Sequence, residues 1–330
     1  MAEVTLNRVS KIYESGKKQV LAVKDLSLEI KDGEFMVFLG PSGCGKTTTM
    51  RMVAGLEDIT AGDIYIGDRL VNDLEPAERN VAMAFETYSL YSHMSVRENL
   101  LFCLKARRIP MEEQERRLKR IVEMLDIAGI LDQKPSQLSG GEQQRISLGR
   151  ALIRKPSVFL LDEPLSHVGV LARLRLRAEI KKLHQELKIT GIYVTHDQID
   201  AFALADRISV INQGELQQVG TREELYHAPV NMFVAGFVGE PAINFLDCDV
   251  VSKGGELCLE GADQVCCLPI PANLRAAIPG GNLSKITVGI RPQDITVGDN
   301  GNGSALVRGE VRFFESIGEE AHVMVSCGSV

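Results

Sequence analysis

The sequence predicts an α/β fold that is followed by a small all-β region. A short apolar run, a glycine-rich stretch and a helix-forming segment follow one another between Phe35 and Ala54. Further apolar runs downstream end in acidic or polar residues, as the buried parallel strands of an open α/β sheet do. After Gly239-Glu240-Pro241, short strand candidates alternate with Gly, Asn and Asp turns. We therefore predict a first domain over residues 1–239 and a second over residues 240–330.

Composition, net charge and cysteine content limit the classes of protein to which the chain can belong. The 330 residues are 45% hydrophobic and 25% charged, which is ordinary for a globular protein of two or three domains. The sequence contains no run of about 18 apolar residues and its N-terminus lacks the order of a signal peptide. A net charge of −7 argues against nucleic acid as a partner. Seven cysteines without a C-x-x-C pair indicate free thiols in a reducing cytosol.

The first 30 residues predict antiparallel strands. Apolar and polar residues alternate from Val4 to Ile30, and Asp32-Gly33 follows as a turn signal. Tyr13 falls near the end of the first strand. It is either a half-buried strand residue or an aromatic surface on which a planar ring can stack.

The glycine-rich stretch reads Gly40-Pro41-Ser42-Gly43-Cys44-Gly45-Lys46-Thr47, which is the G-x-x-x-x-G-K-T pattern of a phosphate-binding loop. Glycines let the backbone turn its N–H groups towards phosphate oxygens, and the following helix adds partial positive charge. We expect Lys46 to reach the β- and γ-phosphates of a nucleotide and the Thr47 hydroxyl to hold Mg²⁺. The other binding residues expected in this stretch are Gly40, Ser42, Gly43, Cys44, Gly45 and Thr48. The setting of Cys44 also allows a low thiol pKa, although we interpret this residue as a variable position that the loop tolerates.

Three further strands predict residues that face the nucleotide. The apolar run Val81–Phe85 ends at Glu86, and in open α/β sheets the ligand lies beyond the carboxyl ends of the strands. The run Val158–Leu161 ends in two carboxylates, of which Asp162 is expected in the Mg²⁺ shell and Glu163 beside an attacking water. The run Gly191–Thr195 ends at His196, which we expect to contact the γ-phosphate.

The stretch between these strands, from about residue 88 to 156, predicts a helical subdomain. Ser95-Val96-Arg97-Glu98 resembles a capping box. Met111–Ile127 carries Leu118, Ile121, Val122 and Leu125 at helical spacing, which predicts one apolar face. Leu138-Ser139-Gly140-Gly141-Glu142-Gln143-Gln144-Arg145 opens another helix, whose N-terminus is suited to an anion.

Taken in order, the patterns G-x-x-x-x-G-K-T, L-S-G-G-E-Q-Q-R, L-L-D-E-P and T-H-D strongly resemble the ATP-binding cassette (ABC) ATPases. The resemblance covers essentially the whole chain. The segments Val234–Leu246 and Val288–Pro292 resemble the ATPases of carbohydrate importers of the maltose type. This resemblance implies a C-terminal domain similar to an oligonucleotide-binding fold, with regulatory and dimerising roles. Because members of that family run somewhat longer, we expect this terminal barrel to be incomplete or shortened.

The resemblance also implies how the site is assembled. Two cassettes would sandwich two ATP molecules, each held between the phosphate loop of one chain and Ser139, Gly140, Gly141 and Glu142 of the other. Tyr13 would stack on adenine, Glu163 would be the catalytic base and His196 the γ-phosphate contact. Thr47, Glu86 and, through water, Asp162 would hold Mg²⁺.

Separate membrane proteins are implied as partners, because the chain does not cross a bilayer by itself. These would be two permease subunits, docked on the loop from Glu86 to Glu98, and indirectly a periplasmic substrate-binding protein. The second cassette would be a copy of this chain or a different one. The resemblance places the protein at the cytoplasmic face of the bacterial inner membrane. Carbohydrate or polyol is the implied cargo, with glycerol phosphate or another small solute as the alternative.

Two residues depart from the family pattern. Glu86 stands where the family usually has Gln, and it adds negative charge near the γ-phosphate. Gly169 stands where the family has the Asp that contacts the opposing cassette. We expect this second change to alter communication between the two ATP sites.

Two rival functions are weighed against transport. A non-transport ABC ATPase acting on DNA or ribosomes predicts basic patches or a long coiled-coil insertion, and the sequence shows neither. A regulatory protein that holds ATP without turnover is disfavoured by Glu163 and His196, although Gly169 leaves it open.

Overall fold

The computed structural model describes residues 2–16, 18–85, 87–166, 168–253, 256–261, 267–270, 285–296, 309–318 and 320–326. The chain divides into two compact units, Met1–Val234 and Ala235–Val330. No helix in the described ranges is long and apolar enough to span a membrane.

The first unit contains two sheets, with strands ordered β2-β1-β4-β5 and β10-β9-β3-β8-β7-β6. Its strands are β1 (Val4–Ser15), β2 (Lys18–Ile30), β3 (Phe35–Leu39), β4 (Ala61–Ile66), β5 (Arg69–Leu70), β6 (Val81–Ala84), β7 (Val158–Asp162), β8 (Thr190–Thr195), β9 (Arg207–Asn212) and β10 (Glu215–Gly220). The first sheet is antiparallel. In the second, β9, β3, β8, β7 and β6 are parallel and only β10 is antiparallel. The predicted antiparallel N-terminal strands and apolar parallel strands are confirmed.

Helices connect and flank the parallel strands. They are α1 (Lys46–Ala54), α2 (Val96–Ala106), α3 (Met111–Leu125), α4 (Gly140–Leu152), α5 (Val170–Leu187), α6 (Gln198–Leu204), α7 (Arg222–His227) and α8 (Met232–Phe237), with 3-10 turns at Ala128–Ile130 and Pro135–Gln137. The capping box predicted at Ser95 is present. The predicted apolar face of α3 buries Leu118, Ile121 and Leu125, whereas Val122 is only half-buried. The helix ends at Leu125, two residues before the predicted end, because Asp126 takes the left-handed conformation that stops a helix.

The core of the first unit lies around α1. Side chains from the antiparallel sheet, from α1 and from the parallel strands form one apolar cluster that includes Leu26, Phe38, Met50 and Ile192. All residues of β3 and β8 are buried, as expected for central strands covered on both faces. This packing fixes the carboxyl ends of the parallel strands, and with them the positions of the loops that follow.

The second unit is made of β-strands in its described parts, in agreement with the predicted small β region. Four strands are ordered β13-β12-β11-β14 and two more form the ribbon β15-β16. Their bounds are β11 (Asn244–Lys253), β12 (Glu256–Gly261), β13 (Cys267–Pro269), β14 (Lys285–Ile290), β15 (Glu310–Ile317) and β16 (Glu320–Ser326), with a 3-10 turn at Pro292–Asp294. Cys248, Leu259 and Ile270 form the buried core of the four-stranded sheet.

Candidate nucleotide site

The carboxyl ends of three neighbouring parallel strands bring the predicted site residues together. Leu39, the last residue of β3, pairs with Thr195 at the end of β8. Asp162, the last residue of β7, pairs with Val194. The segments that follow these strands therefore start side by side. We call this region the phosphate-loop edge, and its residues are Gly40–Thr47, Asp162, Glu163 and His196.

The phosphate loop is packed so closely that two of its glycines have no room for a side chain. A Cβ atom on Gly40 would lie 2.1 Å from the carbonyl oxygen of Ile211. A Cβ atom on Gly45 would lie 2.5 Å from the carbonyl oxygen of Ala22, and the φ angle of Gly45 is +105°. The loop is therefore held between β2 and β9. Ser42 and Gly43 at its tip are exposed, and Thr48 is half-buried on the first turn of α1.

The cation and the hydroxyl of the loop are both bonded within the chain. The Lys46 side chain is 4% exposed, and its Nζ atom donates to the carbonyl oxygens of Gly40 and Pro41, each at 2.8 Å. The Thr47 hydroxyl donates to Oδ1 of the buried Asp162 at 2.9 Å. The structure thus joins two of the predicted metal ligands, one from α1 and one from β7.

The chemistry of these ligands suits Mg²⁺. A hydroxyl and a carboxylate are hard oxygen donors, and Mg²⁺ usually takes one or two carboxylates and completes its shell with water and phosphate oxygens. The described ranges hold no group of three or more His, Cys, Asp or Glu residues that would bind a metal on its own. The third predicted ligand, Glu86, lies outside the described residues.

Glu163 and His196 form a second pair at the same edge. Glu163 Oε2 and His196 Nδ1 are 3.0 Å apart. The Glu163 backbone has a φ of +42°, in the left-handed region that non-glycine residues seldom adopt, and its N–H donates to the carbonyl oxygen of Val194 at 3.0 Å. His196 is exposed whereas the Glu163 side chain is largely covered, so His196 is the solvent-facing member of the pair.

Tyr13 lies on the antiparallel sheet that flanks the loop. It pairs with Val20 of β2, two residues before the Ala22 carbonyl that meets Gly45. Its ring is half-buried, and the Lys11 Nζ atom is 4.9 Å from the ring centroid. The sheet therefore places an aromatic residue close to the phosphate loop along the strand.

The thiol of Cys44 behaves differently from the low-pKa alternative. Burial raises the pKa of this thiol, and the nearby Lys46 lowers it by less, so that the pKa lies above its ordinary value. The Cys44 residue is 5% exposed, and its Sγ atom lies 3.8 Å from the Lys46 Nζ atom. The direction of this pKa shift goes against the low-pKa alternative and agrees with the interpretation of Cys44 as a variable position, because desolvation outweighs the positive charge of Lys46.

Ser139 and the two glycines after it lie at the start of α4. The Ser139 hydroxyl oxygen accepts the Glu142 N–H at 3.4 Å, and the Ser139 N–H donates to Glu142 Oε2 at 2.8 Å, which together form a capping box; the hydroxyl also donates to that carboxylate at 2.7 Å. In the described part of the chain the hydrogen bonds of Ser139 stay within this turn and do not reach the phosphate loop. A cleft of about 510 Å³ opens beside it, which we call the signature cleft. Its lining residues are Ser139, Gly140, Gly141, Arg145, Val168, Gly169, Leu171, Ala172, Arg175 and Leu176.

The start of α5 forms one wall of the signature cleft. Gly169 is the N-cap of α5, with φ −61° and ψ 152°, and a Cβ atom there would meet nothing within 4 Å. No side chain caps this helix. The departure at position 169 is therefore not forced by lack of space.

Sequence reasoning missed two arginines that support the site. Arg79 is buried and donates to the carbonyl oxygens of Met52 and Val53, at 2.7 and 3.2 Å, and so caps the C-terminus of α1. Arg173 on α5 pairs with Asp197, the residue after His196, at 3.0 Å. The H-D dipeptide was a signal for Asp197. Nothing in the spacing distinguishes Arg173 from Arg175 and Arg177 on the same helix.

Known proteins are similar to this chain over most of its length. The family model for ABC transporters matches residues 23–166. The trehalose/maltose import ATP-binding protein MalK of Thermococcus litoralis is 46% identical, over 100% of this chain and 90% of that protein. The sn-glycerol-3-phosphate import ATP-binding protein UgpC of Rhizobium meliloti is 46% identical, over 98% of this chain and 87% of that protein. The maltose/maltodextrin import ATP-binding protein MalK of Escherichia coli is 44% identical, over 100% and 87%.

Solved structures share the fold of a large part of this chain. The ATP-binding cassette MJ0796, a dimer in a post-hydrolysis state bound to ADP and Pi, is 31% identical with a TM-score of 0.59. The match covers 66% of this chain and 98% of that cassette.

Proposed function

Because the chain belongs to the ATP-binding proteins of ABC transporters, we propose that it is the ATP-hydrolysing subunit of an importer. The imported solute is a carbohydrate or polyol. Glycerol phosphate is the second candidate, because the relative named for its import is as similar to this chain as the relative named for trehalose and maltose. The phosphate-loop edge carries the proposal. Its central observation is the Glu163–His196 pair beside the Thr47–Asp162 pair.

Each residue at this edge has a role in the proposal. Lys46 and the loop N–H groups bind the phosphates of ATP, and Tyr13 stacks on the adenine. Glu163 accepts a proton from the attacking water, and His196 contacts the γ-phosphate and keeps the Glu163 carboxylate oriented. Gly40, Ser42, Gly43, Cys44, Gly45 and Thr48 complete the binding loop.

Mg²⁺ is part of the same proposal. When bound, it neutralises charge on the β- and γ-phosphates. Thr47 and Asp162 are the described residues that suit it, with Glu86 as the third.

The proposal requires a second cassette. Ser139, Gly140, Gly141 and Glu142 serve the ATP held by the phosphate loop of another chain, which is a copy of this one or a different cassette. The accompanying proteins are two permease subunits and, indirectly, a periplasmic substrate-binding protein. The chain then works at the cytoplasmic face of the bacterial inner membrane. The domain boundary at residues 239 and 240 and a regulatory role of the second domain also belong to this proposal.

The test measures ATPase activity of the full chain at increasing protein concentration, with Glu163→Gln studied by gel filtration in Mg-ATP. We expect turnover that rises more steeply than protein concentration. We also expect a Glu163→Gln dimer that forms with Mg-ATP, dissociates in EDTA, and has at least about 100-fold lower turnover, the scale of a lost general base. Turnover that is undiminished in Glu163→Gln would contradict the proposed chemistry.

A further inference from the structure

Asp197 follows His196 directly, and its two carboxylate oxygens have separate partners. Oδ1 accepts the N–H of Asp200 at 3.0 Å and so caps α6. Oδ2 pairs with the Arg173 guanidinium at 3.0 Å. The N–H of Asp197 donates to the Thr195 hydroxyl, also at 3.0 Å. The backbone that carries His196 is therefore fixed immediately after the histidine.

Arg173 connects this turn to α5. Its N–H donates to the carbonyl oxygen of Gly169 at 2.9 Å, in the first turn of the helix. Its guanidinium also bonds Asp200 at 2.7 Å, and Asp200 is 1% exposed. The Tyr193 hydroxyl donates to the same Asp200 carboxylate at 3.3 Å. Arg173 thus joins the start of α5 to the turn at His196 through its ion pairs with Asp197 and Asp200.

The electrostatics of the cluster favour this arrangement. Burial acts to lower the pKa of Arg173, but the bonds to Asp200 and the charges of Asp200 and Asp197 raise it above the ordinary value. Arg177 adds a second positive charge, 3.6 Å from Asp200. Two carboxylates therefore face two guanidinium groups, and removing one charge leaves the others only partly balanced.

We propose that Asp197 is a positioning residue for ATP hydrolysis, which holds His196 at Glu163 by pairing with Arg173 at the start of α5. The inference rests on the proposed ATPase function. It adds a route between the signature cleft, where Gly169 lies, and the Glu163–His196 pair. A displacement of the first turn of α5 reaches His196 through one ion pair and one peptide unit.

The test uses the full chain with Asp197→Asn, which separates the two roles of this side chain. Asparagine keeps an oxygen that caps α6 but removes the charge that pairs with Arg173. We expect kcat to fall about tenfold, since small displacements of reacting groups are costly, while KM for ATP stays within about twofold. The melting temperature should fall only slightly, because the cap remains and Arg173 keeps its bond to Asp200. Lys182→Gln, at an exposed position on the same helix, is the matched control and should keep the wild-type kcat.

A second readout does not depend on turnover. In protein labelled with ¹⁵N-histidine, the His196 imidazole signals, assigned by their loss in His196→Gln, should move in Asp197→Asn and in Arg173→Lys but not in Lys182→Gln. The proposal is overturned if the His196 signals are unchanged in Asp197→Asn, or if kcat stays at the wild-type value. Wild-type protein without ATPase activity would instead refute the proposed function, and the histidine signals would then decide the positioning role.

Discussion

The phosphate-loop edge and the signature cleft differ in how far the chain completes them. At the phosphate-loop edge, Lys46 is 4% exposed and bonded to loop carbonyls, and Thr47 is bonded to Asp162. Along the signature cleft, the first turn of α5 leaves Val170 77% and Leu171 76% exposed. Exposed apolar side chains beside a helix N-terminus that has no side-chain cap, as at α5, are typical of surfaces that bind another chain. In the proposed function, the phosphate-loop edge is the half of the site that one chain builds, and the signature cleft is the half that serves a partner.

Glycine substitutions test this contrast most strongly. Gly45→Ala places a Cβ atom 2.5 Å from a backbone oxygen at φ +105°, so we expect a loss of about 2–4 kcal/mol in the free energy of unfolding and loss of ATP binding. Gly169→Ala meets nothing within 4 Å and should cost less than about 1 kcal/mol, mainly through the poorer N-cap. Urea denaturation measures both. Similar losses of stability at the two positions would contradict the difference in packing between the phosphate loop and the start of α5.

A charge on the exposed wall of the cleft should act on association alone. Leu171→Glu is expected to leave the stability of the single chain within about 0.5 kcal/mol of wild type, because the side chain is in water. In the Glu163→Gln background it should raise the dissociation constant of the Mg-ATP dimer at least tenfold, about 1.4 kcal/mol, because a carboxylate is desolvated in the interface.

Analytical ultracentrifugation gives the dissociation constant of that dimer. Met111→Glu, which alters an equally exposed apolar residue on α3, is the control and should leave it unchanged. A Leu171→Glu dimer as tight as its parent would show that this wall does not carry the contact.

Local patterns explain why the strands that lead to the phosphate-loop edge could be predicted from sequence. Four apolar runs, each ending in a chemically distinctive residue, report both a buried strand and its carboxyl end. The parallel register then brings those ends together, as it does for Asp162 and His196. The Ser95 capping box was predicted from an equally local pattern, since Ser95 and Glu98 are three residues apart.

Long-range pairings explain most of what could not be predicted. Arg173 lies on α5 and Asp197 is the N-cap of α6, and α5 carries three arginines at alternate positions. The bonds of Lys46 to loop carbonyls and those of Arg79 to α1 depend on tertiary contacts that spacing does not encode. Cys44 shows the same limit of local reasoning, because its pKa follows from burial rather than from its charged neighbour in the sequence.

Acid pH should destabilise the C-terminal end of α5, which packs against Phe35 of β3, and not the N-terminal end at the signature cleft. His184, in the last turn of α5, donates a hydrogen bond from Nε2 to the Gly33 carbonyl oxygen at 3.0 Å, and its ring centroid lies 4.8 Å from that of Phe35. Burial is the largest cause that lowers the pKa of His184 below its ordinary value of 6.5. The unfolded chain therefore binds a proton at a higher pH than the folded chain does. The contribution of neutral His184 to the free energy of unfolding is fully present above pH 6.5. It is lost as the pH falls from there towards the pKa of His184 in the folded chain.

Urea denaturation at pH 7.5 and 5.5 measures this decline, with the other histidines present throughout. We expect His184→Gln to lose part of the difference between the two pH values. His93→Gln, which alters a histidine on the exposed loop before α2, serves as the control. An equal pH dependence in wild type and His184→Gln would assign the decline to other groups.

The smallest expected change in stability comes at Gly169, one of the two positions at which the sequence departs from the expected pattern. Gly169→Asp fits without a clash and supplies the missing cap of α5, so we expect a gain of a few tenths of a kcal/mol, roughly the difference between Asp and Gly at an N-cap. Gly169→Asn supplies a similar cap without the charge and is the matched control. If Gly169 alters communication between two ATP sites, Gly169→Asp should change the rate and the cooperativity of ATP hydrolysis in the assembled transporter beyond the effect of Gly169→Asn. Unchanged rate and cooperativity would remove position 169 from that communication, and the route from the cleft to Glu163 would then depend on Arg173 and Asp197.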